Sequence, residues 1–160
     1  MREPRDVTSS EALSVREATA ADVDAMRELA QAAYHVYVER VGRQPAPMTA
    51  DYGHAVESDH AWVAEYGERV VGLLVLEPAN DHLLLENVAV LPQAQGLGVG
   101  SRLLQLAEEQ ARTQGLREIR LYTNEAMTEN LDYYPRRGFR ETHRATQDGF
   151  SRVFFAKELS

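Results

Sequence analysis

Hydrophobic and polar positions alternate near the start of the chain and then change to a helical spacing. The alternation over residues 13–17 predicts a strand. Apolar side chains recur at helical spacing over residues 20–40, and Thr19 with Asp22 has the form of a capping box. We therefore expect a helix over 20–40, followed by a short helical segment over 50–57.

Two further alternating stretches, 61–66 and 69–77, are separated by a two-residue connection that contains a glycine. This length and composition predict an antiparallel hairpin. Residues 83–91 then form a run that is apolar on both faces, which is typical of a strand covered on two sides.

The second half of the chain continues with a helical pattern over 98–113 and a strand pattern over 118–123. Together with the strand at 83–91, this order predicts a parallel pair joined by a right-handed crossover. The remaining elements are expected to be a short helical segment at 128–137 and two strands at 139–145 and 151–158.

These elements predict one α/β domain, with a central mixed, mostly antiparallel sheet of six to seven strands and about four helices. The length of 160 residues and the 44% of hydrophobic residues suit a single domain with its own core. Residues 1–10 mix charges, small polar side chains and a proline, so we expect a disordered tail there and a domain over 11–160.

Composition excludes several functions. The chain has 17 basic and 25 acidic residues and a formal net charge of −8, which argues against a broad surface for nucleic acid or an anionic membrane. The absence of cysteine excludes disulfides, thiolate zinc sites and a cysteine nucleophile. Because no apolar run could cross a bilayer and no signal peptide precedes the domain, a cytoplasmic location is expected.

Residues 95–101 read Gln-Gly-Leu-Gly-Val-Gly-Ser and lie between a predicted strand and a predicted helix. Three alternate glycines leave backbone N–H groups accessible and Ser101 can cap the helix, whose N-terminus adds partial positive charge, so the turn suits a phosphate or pyrophosphate. The alternative is a tight corner without a ligand. The spacing fits neither the dinucleotide fingerprint nor the phosphate loop, which needs a lysine.

Other motifs accompany this glycine turn. Residues 87–92 read Asn-Val-Ala-Val-Leu-Pro before it, 121–124 read Leu-Tyr-Thr-Asn after it, and 130–139 contain a Tyr-Tyr pair and end in Gly-Phe. With these segments the sequence resembles the GNAT superfamily of N-acetyltransferases, whose acyl-CoA motif corresponds to residues 95–100. The resemblance covers residues 13–159 and is densest across the quoted motifs.

The resemblance implies an acetyl-CoA-dependent N-acetyltransferase in which an amine attacks the thioester directly. The central strand would bond the pantetheine arm through its backbone, and the glycine turn would hold the pyrophosphate. The implied acetyl-CoA contacts are Val88, Ala89, Val90, Gln95, Gly96, Leu97, Gly98, Val99, Gly100, Ser101, Asn124 and Asn130.

The same resemblance implies two catalytic residues. Tyr134 stands where the superfamily places the general acid for the CoA thiolate, and a phenol, with a pKa of about 10, is a proton donor at neutral pH. Its alternative is packing against the Gly-Phe pair, and Pro135 disfavours helical geometry at Tyr134. Glu86 interrupts an apolar strand, where burial would raise its pKa toward that of a base for the amine. An ion pair with a neighbouring arginine is the alternative for Glu86.

The expected acceptor is a primary amine of a small molecule, and the net acidity favours a cationic one. The alternatives are a protein or peptide amine, a non-catalytic acyl-CoA-binding regulatory domain, and a nucleotide-binding module. No metal is expected, since the five histidines are scattered, and a homodimer is left open. The residues expected on the acceptor side of the cleft, with ordinary packing as their alternative, are Tyr34, Tyr37, Arg40, Met48, Asp51 and Tyr52.

Overall fold

The computed structural model describes residues 12–160, so the tail predicted at 1–10 lies outside the described residues. The strands are Leu13–Glu17 (β1), Ala61–Tyr66 (β2), Arg69–Pro78 (β3), Leu83–Val90 (β4), Glu118–Asn124 (β5), Arg140–Gln147 (β6) and Phe150–Glu158 (β7). They form one sheet in the order β1-β2-β3-β4-β5-β7-β6. The predicted fold class, an α/β domain built on a mixed sheet, is confirmed.

In residues 12–160, four helices of at least six residues accompany the sheet: Val23–Tyr34 (α1), Tyr52–Glu57 (α2), Val99–Thr113 (α3) and Thr128–Tyr133 (α4). Shorter helical turns lie at Ala20–Asp22, His35–Tyr37, Val38–Val41, Ala46–Thr49, Pro92–Ala94 and Pro135–Arg137. No helix in the described part of the chain is long and apolar enough to span a bilayer. The cytoplasmic location stays a prediction.

The predicted continuous helix over 20–40 is wrong, because α1 changes to a tighter turn at His35–Tyr37. Aromatic and β-branched residues follow one another there, and each of them has a modest helix propensity. The predicted start is correct, since the Asp22 carboxylate accepts the Thr19 N–H at 2.7 Å. The segment predicted at 128–137 is also divided, because Pro135 has no N–H to continue α4.

Both predicted strand pairings are present. β2 and β3 form the antiparallel hairpin, and β4 and β5 lie parallel. The parallel pairing, however, is limited to Leu83 with Ile119 and Leu84 with Arg120. Beyond these residues β4 is paired only with β3, so the two parallel strands separate toward their carboxyl ends.

The core lies on both sides of the central strands. β3 is buried without interruption from Val71 to Leu76, and successive side chains of a strand point to opposite faces, so both faces are covered. Helices α1 and α3 pack against β3 and β4. At Gly72 an added Cβ would lie 2.7 Å from Val99 Cγ1, which shows how closely α3 approaches the sheet.

Candidate functional site

A cleft of about 270 Å³ opens where β4 and β5 separate. Residues of β3, β4, β5, β7, α1, α2 and α4 line it, together with the segment that precedes α2. Of the predicted catalytic and acetyl-CoA-binding residues, those that line this cleft are Glu86, Val88, Asn124, Asn130 and Tyr134. Ala89, Val90 and residues 95–101 lie outside its lining.

The glycine turn lies between the end of β4 and the start of α3. Gly96 and Gly98 have φ angles of 90° and 82°, a region of backbone conformation that favours glycine. Within residues 12–160 no backbone acceptor bonds the N–H groups of Gly96, Gly98, Val99, Gly100 or Ser101. The first amides of a helix have no partner within the helix, so this row of N–H groups suits an anion.

The predicted capping role of Ser101 is wrong. The helix begins at Val99, and Gly98 is its N-cap. Ser101 is therefore the third helical residue. At Gly100 an added Cβ would lie 2.6 Å from the Tyr133 hydroxyl, so the turn also packs closely against the end of α4.

One edge of β4 is free over the predicted pantetheine-binding stretch. Val88, Ala89 and Val90 pair with β3, and β5 does not reach them. At Val88 the backbone oxygen accepts the Tyr34 hydroxyl at 3.1 Å. The resemblance implies an edge whose backbone groups are free for pantetheine. The Val88 oxygen departs from this, because it already has a hydrogen-bond partner within the protein.

Tyr134 is buried, with 7% of its surface exposed, and it lines the cleft. Its backbone is helical (φ −72°, ψ −42°) despite the proline that follows. The ring packs edge-on against Phe139 at a centroid distance of 5.7 Å. Tyr134 thus both packs against the Gly-Phe pair and lines the cleft. Burial raises the pKa of Tyr134 well above its usual range, which keeps the hydroxyl protonated.

Glu86 is exposed, so the expectation that this carboxylate is buried is wrong. Val75 pairs with Asn87 and Leu76 pairs with Leu85, which leaves Glu86 unpaired in a β-bulge. A bulge turns the extra side chain out of the regular alternation, and here Glu86 lines the cleft. The ion pair considered as its alternative is absent from the described residues.

The surroundings of Glu86 still perturb its titration. Partial removal from water raises the pKa of Glu86, and the nearby charge of Glu77 raises it further. His60 and His54 act in the opposite direction. His54 and His60 therefore lie near this carboxylate and line the cleft with it.

The buried polar residue of β4 is Asn87 rather than Glu86. Its Nδ2 donates to the Tyr52 hydroxyl at 2.7 Å, and its Oδ1 accepts the Tyr34 hydroxyl at 3.0 Å. Tyr52 in turn donates to the Pro47 carbonyl at 2.6 Å. This network joins α1, β4, α2 and the preceding segment. An amide inside an apolar strand was the only sequence signal for it.

The residues predicted on the acceptor side divide into two groups. Tyr34, Asp51 and Tyr52 line the cleft. Tyr37, Arg40 and Met48 do not, and Arg40 instead binds Glu129 at 2.6 Å.

Asn124 and Asn130 are engaged in local hydrogen bonds at the cleft. Asn124 Oδ1 accepts the Ala126 N–H at 2.8 Å, and Asn130 Nδ2 donates to Thr123 Oγ1 at 3.0 Å. These bonds hold the start of α4 against the end of β5. A contact of either amide with acetyl-CoA stays a prediction.

Sequence reasoning missed Arg152 on β7, which also lines the cleft. Only 8% of its surface is exposed. The available signal was an arginine next to a run of apolar and aromatic residues, 153–156, within a strand, a position where a charge requires a partner.

Comparison with known proteins agrees with this fold. The chain belongs to the acetyltransferase (GNAT) family, whose model matches residues 23–139. This confirms the family resemblance found in the sequence.

The chain is also similar in sequence to two curated N-acetyltransferases. The chain is 32% identical over 84 residues to the probable N-acetyltransferase camello of Xenopus tropicalis. The aligned segment covers 51% of this chain and 38% of that protein. The chain is 30% identical over 103 residues to N-acetyltransferase family 8 member 2 of Rattus norvegicus, covering 61% and 45%. The chain thus spans less than half the length of these relatives.

A solved structure shows the same fold. The PaiA N-acetyltransferase of Thermoplasma acidophilum, crystallised in complex with coenzyme A, superimposes with a TM-score of 0.78 over 92% of this chain and 99% of that one. The sequence identity is 17%, so the likeness concerns the fold alone.

Proposed function

We propose that this chain is an acetyl-CoA-dependent N-acetyltransferase that transfers an acetyl group directly to a primary amine of a small molecule. The observation that carries the proposal is the cleft between the parted ends of β4 and β5, lined by Tyr134 and Glu86. Membership of the acetyltransferase (GNAT) family supports it.

The binding of acetyl-CoA is assigned to two features of the backbone. The unbonded N–H groups of Gly96 and of residues 98–101 would hold the pyrophosphate at the start of α3, whereas the Leu97 N–H already donates to the Ala94 oxygen at 3.2 Å. The free edge of β4 would accept the pantetheine arm as a further strand at Val88 and Val90, whose backbone groups face away from β3, although the Val88 oxygen also accepts the Tyr34 hydroxyl. The backbone groups of Ala89 face Leu73 of β3, so the predicted contact at Ala89 is not part of this edge. The close approach of Tyr133 to Gly100 fixes this turn next to the cleft.

Glu86 and Tyr134 divide the proton transfers in this proposal. Glu86, with its raised pKa, takes a proton from the ammonium group, and the neutral nitrogen then forms the C–N bond with the thioester carbonyl carbon. The C–S bond breaks, and Tyr134 donates its proton to the leaving thiolate. The second proton of the nitrogen restores the phenol, so one proton is released for each turnover.

The size of the cleft favours a small acceptor. Its volume of about 270 Å³ is near the lower end of small-molecule sites, which begin at roughly 300 Å³. Tyr34 and the segment before α2 close it on the acceptor side. A protein or peptide amine is the competing acceptor class.

The test combines calorimetric titration with a thiol-release assay. We expect acetyl-CoA and CoA to bind, NAD and ATP not to bind at the same salt concentration, and CoA to be released only when a small primary amine is present. Release with peptides alone would replace the proposed acceptor class by the alternative. Binding without release with any amine would indicate a regulatory acyl-CoA-binding domain, and absence of binding would contradict the proposal.

A further inference from the structure

Arg152 is a charged side chain at a buried position of the cleft wall. Its neighbours along β7, Val153 and Phe155, belong to the hydrophobic core. The guanidinium lies 4.3 Å from the ring centroid of Tyr122 and 5.5 Å from that of Phe150, and both rings line the cleft. Aromatic faces on two sides fix the orientation of the guanidinium and limit its access to water.

This guanidinium has more donors than partners. An arginine carries five N–H groups, and in the described residues Arg152 donates from Nη1 to Gln147 Oε1 at 3.0 Å. Asp148 lies 4.0 Å from Nη1, but its side chain is 85% exposed. Nε and Nη2 have no acceptor within residues 12–160, and neither atom is sealed from solvent. Because Arg152 lines the cleft, these two groups can meet a ligand there.

The opposite side of the cleft is acidic. Glu77 of β3 and Glu86 of β4 line it, and within the described part of the chain neither forms a salt bridge with Arg152, although Glu77 lies 3.7 Å from His60 Nδ1. In the sheet order, β5 stands between β4, which carries Glu86, and β7, which carries Arg152. The cleft thus presents negative side chains on one side and a fixed guanidinium on the other.

From this arrangement we infer that the acceptor is an amino-acid-like molecule, in which a carboxylate accompanies the reacting amine, and that Arg152 binds this carboxylate. The inference rests on the proposed function. A guanidinium with free N–H groups matches a carboxylate in bidentate geometry, and the acidic side attracts the ammonium group. Arg152 is then a specificity-determining residue that takes no part in the proton transfers.

The test compares free amino acids with their carboxamides. Each is titrated into the wild-type protein saturated with CoA and is also assayed as an acceptor with acetyl-CoA. We expect the free acids to bind more tightly than the amides and to have a kcat/KM higher by on the order of tenfold to a hundredfold. This comparison uses only the wild-type chain and does not depend on how a variant folds.

Variants then assign the preference to one residue. Arg152→Gln is expected to raise KM for the free acids on the order of tenfold to a hundredfold, with a smaller change in kcat and little effect on the amides. Arg152→Lys keeps the positive charge but loses the paired N–H donors of the guanidinium. Its KM for the free acids should therefore lie between those of the wild type and Arg152→Gln. The control is Arg144→Gln on β6, since Arg144 is half exposed and binds Glu141 on its own strand. Neither Arg152 variant should change the Kd of acetyl-CoA.

The outcomes separate this inference from the proposed function. Transfer to amides or amidated peptides that equals transfer to free acids would overturn the inference and leave the proposed function standing. An acid preference that persists in Arg152→Gln would overturn the role of Arg152. Tighter binding of acids than amides to the CoA complex, lost in Arg152→Gln but without any acetyl transfer, would support the carboxylate site and contradict the proposed function.

Discussion

The two edges of β4 differ sharply in how they are used. Toward β3 the strand is paired antiparallel from Leu83 with Pro78 to Val90 with Gly72, apart from the bulge at Glu86. Toward β5 it is paired only at Leu83 and Leu84. The candidate site therefore lies where the sheet leaves backbone groups of β4 unpaired. The paired edge makes β4 rigid and so positions the site.

Side chains on the open edge replace part of the missing pairing. Tyr34 donates to the Val88 oxygen, and Asn87 links Tyr34 to Tyr52. The bulge at Glu86 directs a carboxylate into the same space. The open edge is therefore a built feature with its own hydrogen bonds, and the first two predictions below test it.

Replacing Tyr134 by phenylalanine should have the largest effect, because it removes the proposed proton donor from the open edge and keeps the ring packing on Phe139. We expect kcat to fall on the order of a hundredfold or more, with the Kd of acetyl-CoA unchanged. Steady-state kinetics and calorimetry measure both. The control is Tyr66→Phe, at the exposed end of the β2–β3 hairpin. Unchanged kcat in Tyr134→Phe would remove the phenol from the mechanism.

Glu86→Gln should lower kcat/KM at pH 7 on the order of tenfold to a hundredfold. The deficit should shrink as pH rises, because the acceptor amine then loses its proton without a base. In the wild type, activity should fall as pH decreases through the Glu86 pKa, which is raised above the ordinary 4.5. Exposed Glu68→Gln, in the turn between β2 and β3, is the control. A deficit that is equal at all pH values would contradict the role of Glu86 as base.

Gly72→Ala tests the paired edge. The added Cβ would lie 2.7 Å from Val99 Cγ1 and 3.3 Å from the Ala89 oxygen, so α3 or the sheet must shift. We expect a loss of about 1–3 kcal/mol in the free energy of unfolding, measured by urea denaturation. The control is Gly53→Ala in α2, where the nearest atom is at an ordinary 3.5 Å. Equal stability of the two variants would mean that α3 is not closely packed on β3.

Asp22→Asn tests the ion pair between Asp22 and Arg16 of β1, on the β3 side of β4 in the sheet order. We expect it to have the smallest effect of the four substitutions. Bonding to Arg16 lowers the pKa of Asp22 from 3.8 to about 2. The resulting stability is complete above about pH 4 and is lost as pH falls through the folded pKa. We expect the variant to lose about 1–2 kcal/mol at pH 7, since the Arg16 side chain is partly exposed and its charge is screened.

The difference between wild type and Asp22→Asn should disappear between about pH 4 and pH 2. Thermal unfolding across this range measures it. Asp24→Asn serves as the control, because the Asp24 side chain is 90% exposed. A gap that persists at pH 2 would show that the stabilisation does not come from the charge of Asp22.

Local patterns predicted the paired parts of the fold well. Alternation identified the strands, Gly67 and Glu68 marked the β2–β3 turn, and the order of strand, helix and strand predicted the parallel pair. These features depend on residues close together in sequence. The break of the first helix was missed because the change at His35–Tyr37 depends on small differences in propensity.

The open edge was harder to predict, because its geometry depends on distant contacts. The bulge at Glu86 is a register shift against β3, and neither strand shows it alone. Asn87 meets Tyr34 from 53 residues away, and Arg152 reaches the cleft through the pairing of β5 with β7. The motif containing Tyr134 was visible, whereas its burial required the packing of Phe139 and Phe155.

The most direct test of the central claim compares two glycines at opposite ends of α3. Gly98 and Gly115 have φ angles of 82° and 73°, and an added Cβ at either would meet no atom within 4 Å. Alanine at either position should therefore have a similar cost in stability. Only Gly98 belongs to the row of accessible N–H groups beside the open edge of β4.

We therefore expect calorimetric titration to show acetyl-CoA binding weakened on the order of tenfold in Gly98→Ala, and wild-type affinity in Gly115→Ala. That result would place acetyl-CoA at the glycine turn, next to the parted strands. Equal affinities in both variants and the wild type would contradict the account, because the accessible amides would then not be part of the binding site.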